Sequence, residues 1–229
     1  MKRSFDIFEL MKNEPMKKIV ISVGEVGLDQ AYDNGLIKSI PVLRTIADTL
    51  ELIDSIRNRH LFIKLGLFFE ELYNIPLEDR RRFIEKHTKN PKKLSQQILV
   101  YLDRQEAKEK AKILAKVFSA FLYEKIDSAT FARLCSILDK VVIEDLNILT
   151  NEFLRQTGST IEDNQQIWFL GTEYEHLVAT GMVIENTGFG LNPGQVSMNY
   201  FGLEGEVYEY SQFHLTHLGI KLIKYGLLD

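Results

Sequence analysis

The stretch from Ile98 to Leu149 constrains this chain most, because its apolar residues recur at the spacing of a helix rather than a strand. Ile113, Leu114, Val117, Phe118, Phe121 and Leu122 fall three and four residues apart and so share one helical face. Ile126 ends that run. Asp127 or Ser128 follows, with a side-chain oxygen suited to accept from the free N–H groups of a new helix start. Phe131, Leu134, Cys135, Leu138, Val141, Val142 and Leu146 make a second stripe. Two amphipathic helices joined by a tight turn are predicted. Such an antiparallel hairpin needs partners on its apolar side, so the core is placed here.

The partners are sought upstream. Residues 1–14, with Phe5, Phe8 and Leu10, read as a short amphipathic helix closed by Pro15. Residues 17–26 are β-branched, yet no second strand lies nearby to pair with them, so strand and non-strand readings both stand. Asn34-Gly35 marks a turn. Ile40, Leu43, Ile46, Ala47, Leu50, Ile53 and Ile56 form a helical stripe, with Pro41 tolerated in its first turn. Leu61 to Leu72 is interrupted only by Lys64 and reads as a central helix, apolar nearly all round. Asn74-Ile75-Pro76 ends it. A basic helix then carries Arg80, Arg81, Arg82, Lys86, Lys89, Lys92 and Lys93, broken partway by Asn90-Pro91.

Composition bounds the class. With 229 residues and 45% hydrophobic content, the chain can bury one large core or two modest ones. A net charge of −4 with 26% charged residues does not suggest a polyanion binder. The single cysteine, Cys135, excludes a disulfide framework and fits a reducing, cytoplasmic setting as a small buried apolar residue. The first twenty residues alternate charge with hydrophobe and lack a signal peptide's apolar run. No window of 18 apolar residues offers a conventional transmembrane helix.

The composition shifts near residue 157, where Thr157-Gly158-Ser159-Thr160 is loop-like and glycines become frequent. A helical domain over 1–157 and a smaller domain over 158–229 are expected. In the second, the pattern predicts a helix over Gln165–Thr180 ended by Gly181 and a strand over Met182–Glu185. A long glycine- and asparagine-rich loop (186–205), a strand over 206–214 and a closing helix over Thr216–Tyr225 follow. That order belongs to a winged-helix unit. The fold class is thus mainly α: a helical bundle followed by a small winged-helix-like α+β unit.

Two tail segments carry a resemblance. Leu177, Gly181, Met182, Val183 and Ile184, then Phe213, Leu215, Thr216, Leu218, Gly219 and Leu222, resemble the winged-helix signature. In it a helix ends in glycine before a wing hairpin, and a last strand turns into a threonine-capped helix. Together with the hairpin residues Leu114, Val117, Phe118, Phe131, Leu134, Ile137, Leu138, Asp145 and Leu149, the layout resembles bacterial abortive-infection proteins of the alpha type, linked to phage defence. The resemblance implies a role in antiphage defence and brings no catalytic residues with it.

Charge weighs against DNA on the winged-helix-like part. From Ser159 to Asp229 nine acids face only Lys221 and Lys224, a net of −7. Phosphate contacts need lysine or arginine, because counterion release supplies most of the affinity. The helix that would enter a groove presents Glu173, Tyr174, Glu175 and His176, with no arginine to read guanine. Glu173, Tyr174 and His176 instead suggest a docking surface for protein. Arg81, Arg82, Lys86, Lys89 and Lys93 are the better anion candidates, for RNA, a phosphorylated partner or an acidic membrane surface. Against this stands a solvated face paired with Glu78, Asp79 and Glu85.

No catalytic, cofactor or metal set emerges. His214 and His217 have a spacing that serves a metal on a continuous helix, but a cap at Thr216 would place their rings on different elements. Asp127 and Ser128 lack the alternating oxygen ligands of a calcium loop. The glycines of 186–205 form no phosphate loop, and Ser197 and Ser211 sit in no nucleophile elbow. The expectation is a non-enzymatic cytoplasmic protein without cofactor, acting through contact with another protein, a phage component or a second copy of itself. The alternatives are a nucleic-acid-binding regulator using 80–93 and a membrane-perturbing effector using the helices at 40–72.

Overall fold

The computed structural model describes residues 7–11, 56–87, 91–158, 166–170, 174–191, 197–199, 202–204 and 207–228. The stripe at 40–55, the segment 17–26, Lys89 and Glu173 lie outside these residues. The chain is mainly α with a small antiparallel sheet. It divides into two compact units, Met1–Ile143 with Tyr225–Asp229, and Glu144–Lys224. Helix Ile143–Thr157, assigned from sequence to the helical domain, therefore groups almost wholly with the second unit.

The first unit contains α1 (Ile7–Met11), α2 (Ile56–Tyr73), α3 (Leu77–His87), α4 (Pro91–Arg104), α5 (Glu109–Leu122) and α6 (Ser128–Lys140). α5 and α6 are the predicted hairpin. Ile113, Leu114, Val117, Phe118 and Leu122 on α5, and Phe131, Leu134, Cys135 and Leu138 on α6, are buried as their spacing requires. Phe118 is the hub of the core. Its ring lies within 6.5 Å, centroid to centroid, of Phe8, Phe68, Phe83, Phe121 and Phe131. Such tilted and edge-on pairs add to the area they bury.

The predicted second stripe is not one helix. Val141 adopts an extended backbone after α6, and a new helix, α7, begins at Ile143. Val142, expected inside, is 53% exposed, because the chain break rotates it off the buried face.

Between α5 and α6, Glu124 takes a left-handed backbone (φ 58°). The Lys125 N–H then reaches back to the Ala120 carbonyl at 2.9 Å, closing the end of α5 as a Schellman turn. Glycine is usual at such a position, but the Glu124 carboxylate holds Lys86 Nζ at 2.8 Å. Asp127 caps α6, its carboxylate accepting from the Thr130 N–H at 2.7 Å. Asp127→Ala is expected to cost about 1 kcal/mol, the usual worth of such a cap, measurable as a lower denaturant midpoint with an unchanged slope.

Two buried cations tie helix ends together. On α2, Lys64 is only 6% exposed, and its ammonium donates to the carbonyls of Asp103 (3.0 Å) and Gln105 (2.8 Å) at the end of α4. On α3, Arg80 is 4% exposed and donates from Nε to Ile75 O and from Nη1 to Met11 O, both at 3.1 Å. Helix C-termini leave carbonyls unpaired and carry partial negative charge, so a buried cation suits them. In the same manner the buried Ser95 hydroxyl accepts from the first N–H of α1 at 2.8 Å.

The second unit contains α7 (Ile143–Thr157), β1 (Trp168–Leu170), α8 (Glu175–Val178), β2 (Val183–Leu191), β3 (Ser197–Asn199), β4 (Gly202–Glu204), β5 (Val207–Leu215) and α9 (His217–Leu222). A π turn, Ile223–Leu227, continues α9. The three-stranded sheet runs β1-β5-β2, antiparallel throughout, and β3 and β4 pair separately.

Two expectations are corrected here. The predicted helix over Gln165–Thr180 is a strand, β1, followed by a helix of four residues. Ile167 and Phe169 are buried while Trp168 is exposed, the period of two that pairing with β5 imposes. Within the loop expected over 186–205 the described residues are strand: β3 and β4 pair with each other, and β2 continues to Leu191 opposite β5 despite its glycines. Tertiary pairing overrides their weak strand propensity. The closing corner is as expected. Gly181 takes φ 85°, and the Thr216 hydroxyl caps α9 by accepting from Gly219 N–H at 2.8 Å while donating to Gly181 O at 2.8 Å.

Candidate interaction surfaces

Among the described residues, the basic side chains of the first unit's 80–93 window are not gathered into one cluster. Arg80 is internal, capping backbone as described. Arg81 lies 3.6 Å from Glu78 and Arg82 lies 3.6 Å from Asp79, each one turn along α3, and Lys86 is bound to Glu124. Lys93 lies on α4 and lines a cavity of ≈350 Å³ with Tyr101, Phe121, Ser128 and Phe131. Acidic partners accompany the arginines on α3, the pattern of a solvated helix face.

In the second unit the sheet registers decide what is presented. Val183, Leu215, Phe213 and Phe169 point to one side and are buried. The other side carries a row drawn from all three strands: Trp168 opposite His214, and His214 opposite Ile184. Trp168 is 37% exposed and Ile184 47%, two large apolar side chains flanking a half-buried imidazole. The Trp168 and His214 rings lie 4.8 Å apart, and His214 Nδ1 is 3.2 Å from Asn186 Nδ2, which fixes the imidazole in the row.

The outer edge of β1 is closed by a side chain. With Ile167 O taken by Leu215 N–H at 3.0 Å, the backbone groups of Trp168 face away from β5. The Gln156 amide on α7 meets both, donating to Trp168 O at 2.7 Å and accepting from Trp168 N–H at 3.3 Å. A primary amide thus stands in for a neighbouring strand, blunting an edge that would otherwise template pairing. This fixes Trp168 at the border of the open face.

Gln156 also donates to Glu152, which is bonded to Arg155 Nε at 2.8 Å. Hydrogen bonds from Arg155, then Gln156, hold the Glu152 carboxyl at about 2, below its ordinary 4.5. A carboxyl lowered on folding stabilises above its ordinary value, and that contribution is lost as pH falls from about 4.5 towards 2. Replacing Arg155 by Met should return the Glu152 titration towards the ordinary range in a carboxyl NMR experiment. A midpoint unmoved by the substitution would contradict the assignment.

The residues proposed from sequence for docking are partly occupied. The Tyr174 ring packs on Phe169 at 4.7 Å and faces Phe213 at 6.4 Å, on the buried side of the sheet. His176 Nε2 lies 3.1 Å from Asp145, with the imidazole side chain 54% exposed. The sequence pattern does not mark Trp168 and Ile184 for docking, since it places Trp168 inside a helix. The alternation of Ile167, Trp168 and Phe169 was the signal available.

Other chemistry finds little to build on. His214 lies in β5 and His217 opens α9, so the pair spans two elements. Among the described residues no three His, Cys, Asp or Glu side chains converge to hold a metal ion. Burial pushes the Cys135 thiol far above its usual range, which leaves it inert as a nucleophile. Among the described residues no helix is long and apolar enough to cross a membrane.

Between β1 and β2 the chain has only residues 171–182, and α8 takes four of them. Among the described residues of that stretch, α8 is the one helix. Compared with protein-family models, with curated proteins and with solved structures, the chain finds no match in any of the three.

Proposed function

We propose that this chain is a non-enzymatic component of bacterial antiphage defence that works in the cytoplasm by binding another protein through its second unit. The single observation that carries the binding reading is the Trp168–His214–Ile184 row, large apolar side chains set on an open sheet face beside a fixed imidazole. Exposed aromatic and apolar groups at the centre of a rigid patch are what protein interfaces bury. The defence setting rests on the resemblance of the hairpin and tail residues to abortive-infection proteins of the alpha type. A nucleic-acid reading is weakened by the net charge of −7 from Ser159 to Asp229 and by the acids paired with Arg81 and Arg82.

Phage plating on bacteria expressing the chain tests both parts. Wild type is expected to lower plating efficiency, and Ile184→Asp to abolish the effect while leaving the protein folded and abundant. Protection that survives Ile184→Asp would move the site away from the sheet. No protection by wild type against any of a broad phage panel would remove the defence role.

A further inference from the structure

We infer that the segment seated on the Trp168–His214–Ile184 row is a basic stretch of polypeptide, carrying arginine between apolar residues. This rests on the docking reading above and names the chemistry of its partner. The second unit, Glu144–Lys224, holds eleven acids against Arg155, Lys221 and Lys224, a net of −8 in a chain whose total is only −4. Of those three cations, Arg155 is already bonded to Glu152. The remaining residues of the chain therefore sum to +4, and the negative charge is concentrated in the unit that bears the exposed row.

A field of that sign repels phosphate and anionic lipid, and it draws in lysine and arginine. The row adds short-range selectivity. Trp168 offers an aromatic surface to a guanidinium, whose weak hydration and planar shape favour stacking over the stronger hydration of lysine. Ile184 offers an apolar seat two strands away. Glu175, on α8, and Glu185, the next residue of β2 on the other face of the sheet, are exposed members of the unit's acidic set and add to its field without lining the row. An arginine flanked by leucine-like residues meets the aromatic ring, the apolar seat and the surrounding charge together, whereas a purely apolar segment leaves the charge unanswered.

The test uses the full chain and a dye-labelled synthetic peptide alternating arginine with leucine, followed by fluorescence anisotropy. Two further peptides carry glutamine or glutamate in place of every arginine. The arginine peptide is expected to bind saturably, about tenfold more tightly than the glutamine peptide, and to weaken several-fold on raising salt to about 0.15 M. The glutamate peptide is expected not to bind. Ile184→Ser and Trp168→Ala should each weaken the arginine peptide about tenfold, and Leu154→Ser, on α7, should not. Equal affinity for the arginine and glutamine peptides, still lost with Ile184→Ser, overturns the basic partner and leaves the docking face standing. Arginine-peptide binding unmoved by both Ile184→Ser and Trp168→Ala overturns the docking face as well. Failure of the arginine peptide to bind wild type overturns the inference.

Discussion

Gly219→Ala is expected to destabilise the second unit by about 3 kcal/mol, the upper end of what one overpacked methyl group costs. A Cβ at this position would overlap the Met182 carbonyl oxygen and stand 3.2 Å from Leu215 Cδ2 and 3.3 Å from the Met182 carbonyl carbon. The carbonyl cannot yield cheaply, because it accepts the Thr216 N–H at 2.9 Å. Moving it would loosen the cap on α9, in which Thr216 also joins Gly181 O and Gly219 N–H. The turn out of α8, the start of β2 and the start of α9 thus share one small cluster of backbone groups. Trp168 is the only tryptophan of the chain and lies in the same unit, so its emission reports unfolding there. Gly158→Ala is the control. Gly158 has φ 64° with nothing within 4 Å of the added carbon, so the cost is only the left-handed backbone, about 1 kcal/mol. Equal losses for the two variants would contradict the close approach at Gly219.

Lys64→Met is expected to cost the first unit about 3 kcal/mol, although methionine matches the stem in length and suits its apolar surroundings. The loss lies in what the ammonium leaves behind. The part-buried Asp103 O and the buried Gln105 O, at the end of α4, would each lose a charged donor, and a buried acceptor deprived of its donor costs about 1–3 kcal/mol. The Gln105 side chain is engaged elsewhere, its amide nitrogen donating to Tyr101 O at 3.0 Å, and its side-chain oxygen is itself a buried acceptor. Lys112→Met is the comparison. Lys112 Nζ lies 3.1 Å from Glu70 with both side chains more than 40% exposed, and such pairs are worth under about 1 kcal/mol. A loss at Lys112 as large as that at Lys64 would show that the cap is not the source.

The hairpin was legible because its two helices repeat a single period for several turns and a good capping residue separates them. Thr216, and Asp127 as one of two candidates with Ser128, could be named as caps from sequence because a cap needs only one side chain and a nearby N–H. Lys64 was read as an interruption of an apolar helix, when its partners are carbonyls about forty residues away that no local pattern reveals. The strand at Trp168 was lost for a similar reason. Three residues are too few to show a period, and what makes them a strand is β5, more than forty residues downstream. The basic window was legible as composition only. Which of its members turn inward, as Arg80 does, depends on where the ends of α1 and α2 fall.

The most direct measurement is photo-crosslinking in phage-infected cells, with a reactive amino acid placed at position 184 and, for comparison, at position 136 on the exposed side of α6. A discrete protein adduct from position 184, resistant to nuclease and absent from position 136, is the expected result. Adducts to nucleic acid or lipid, or the same adducts from both positions, would contradict a protein-binding role for the open sheet face.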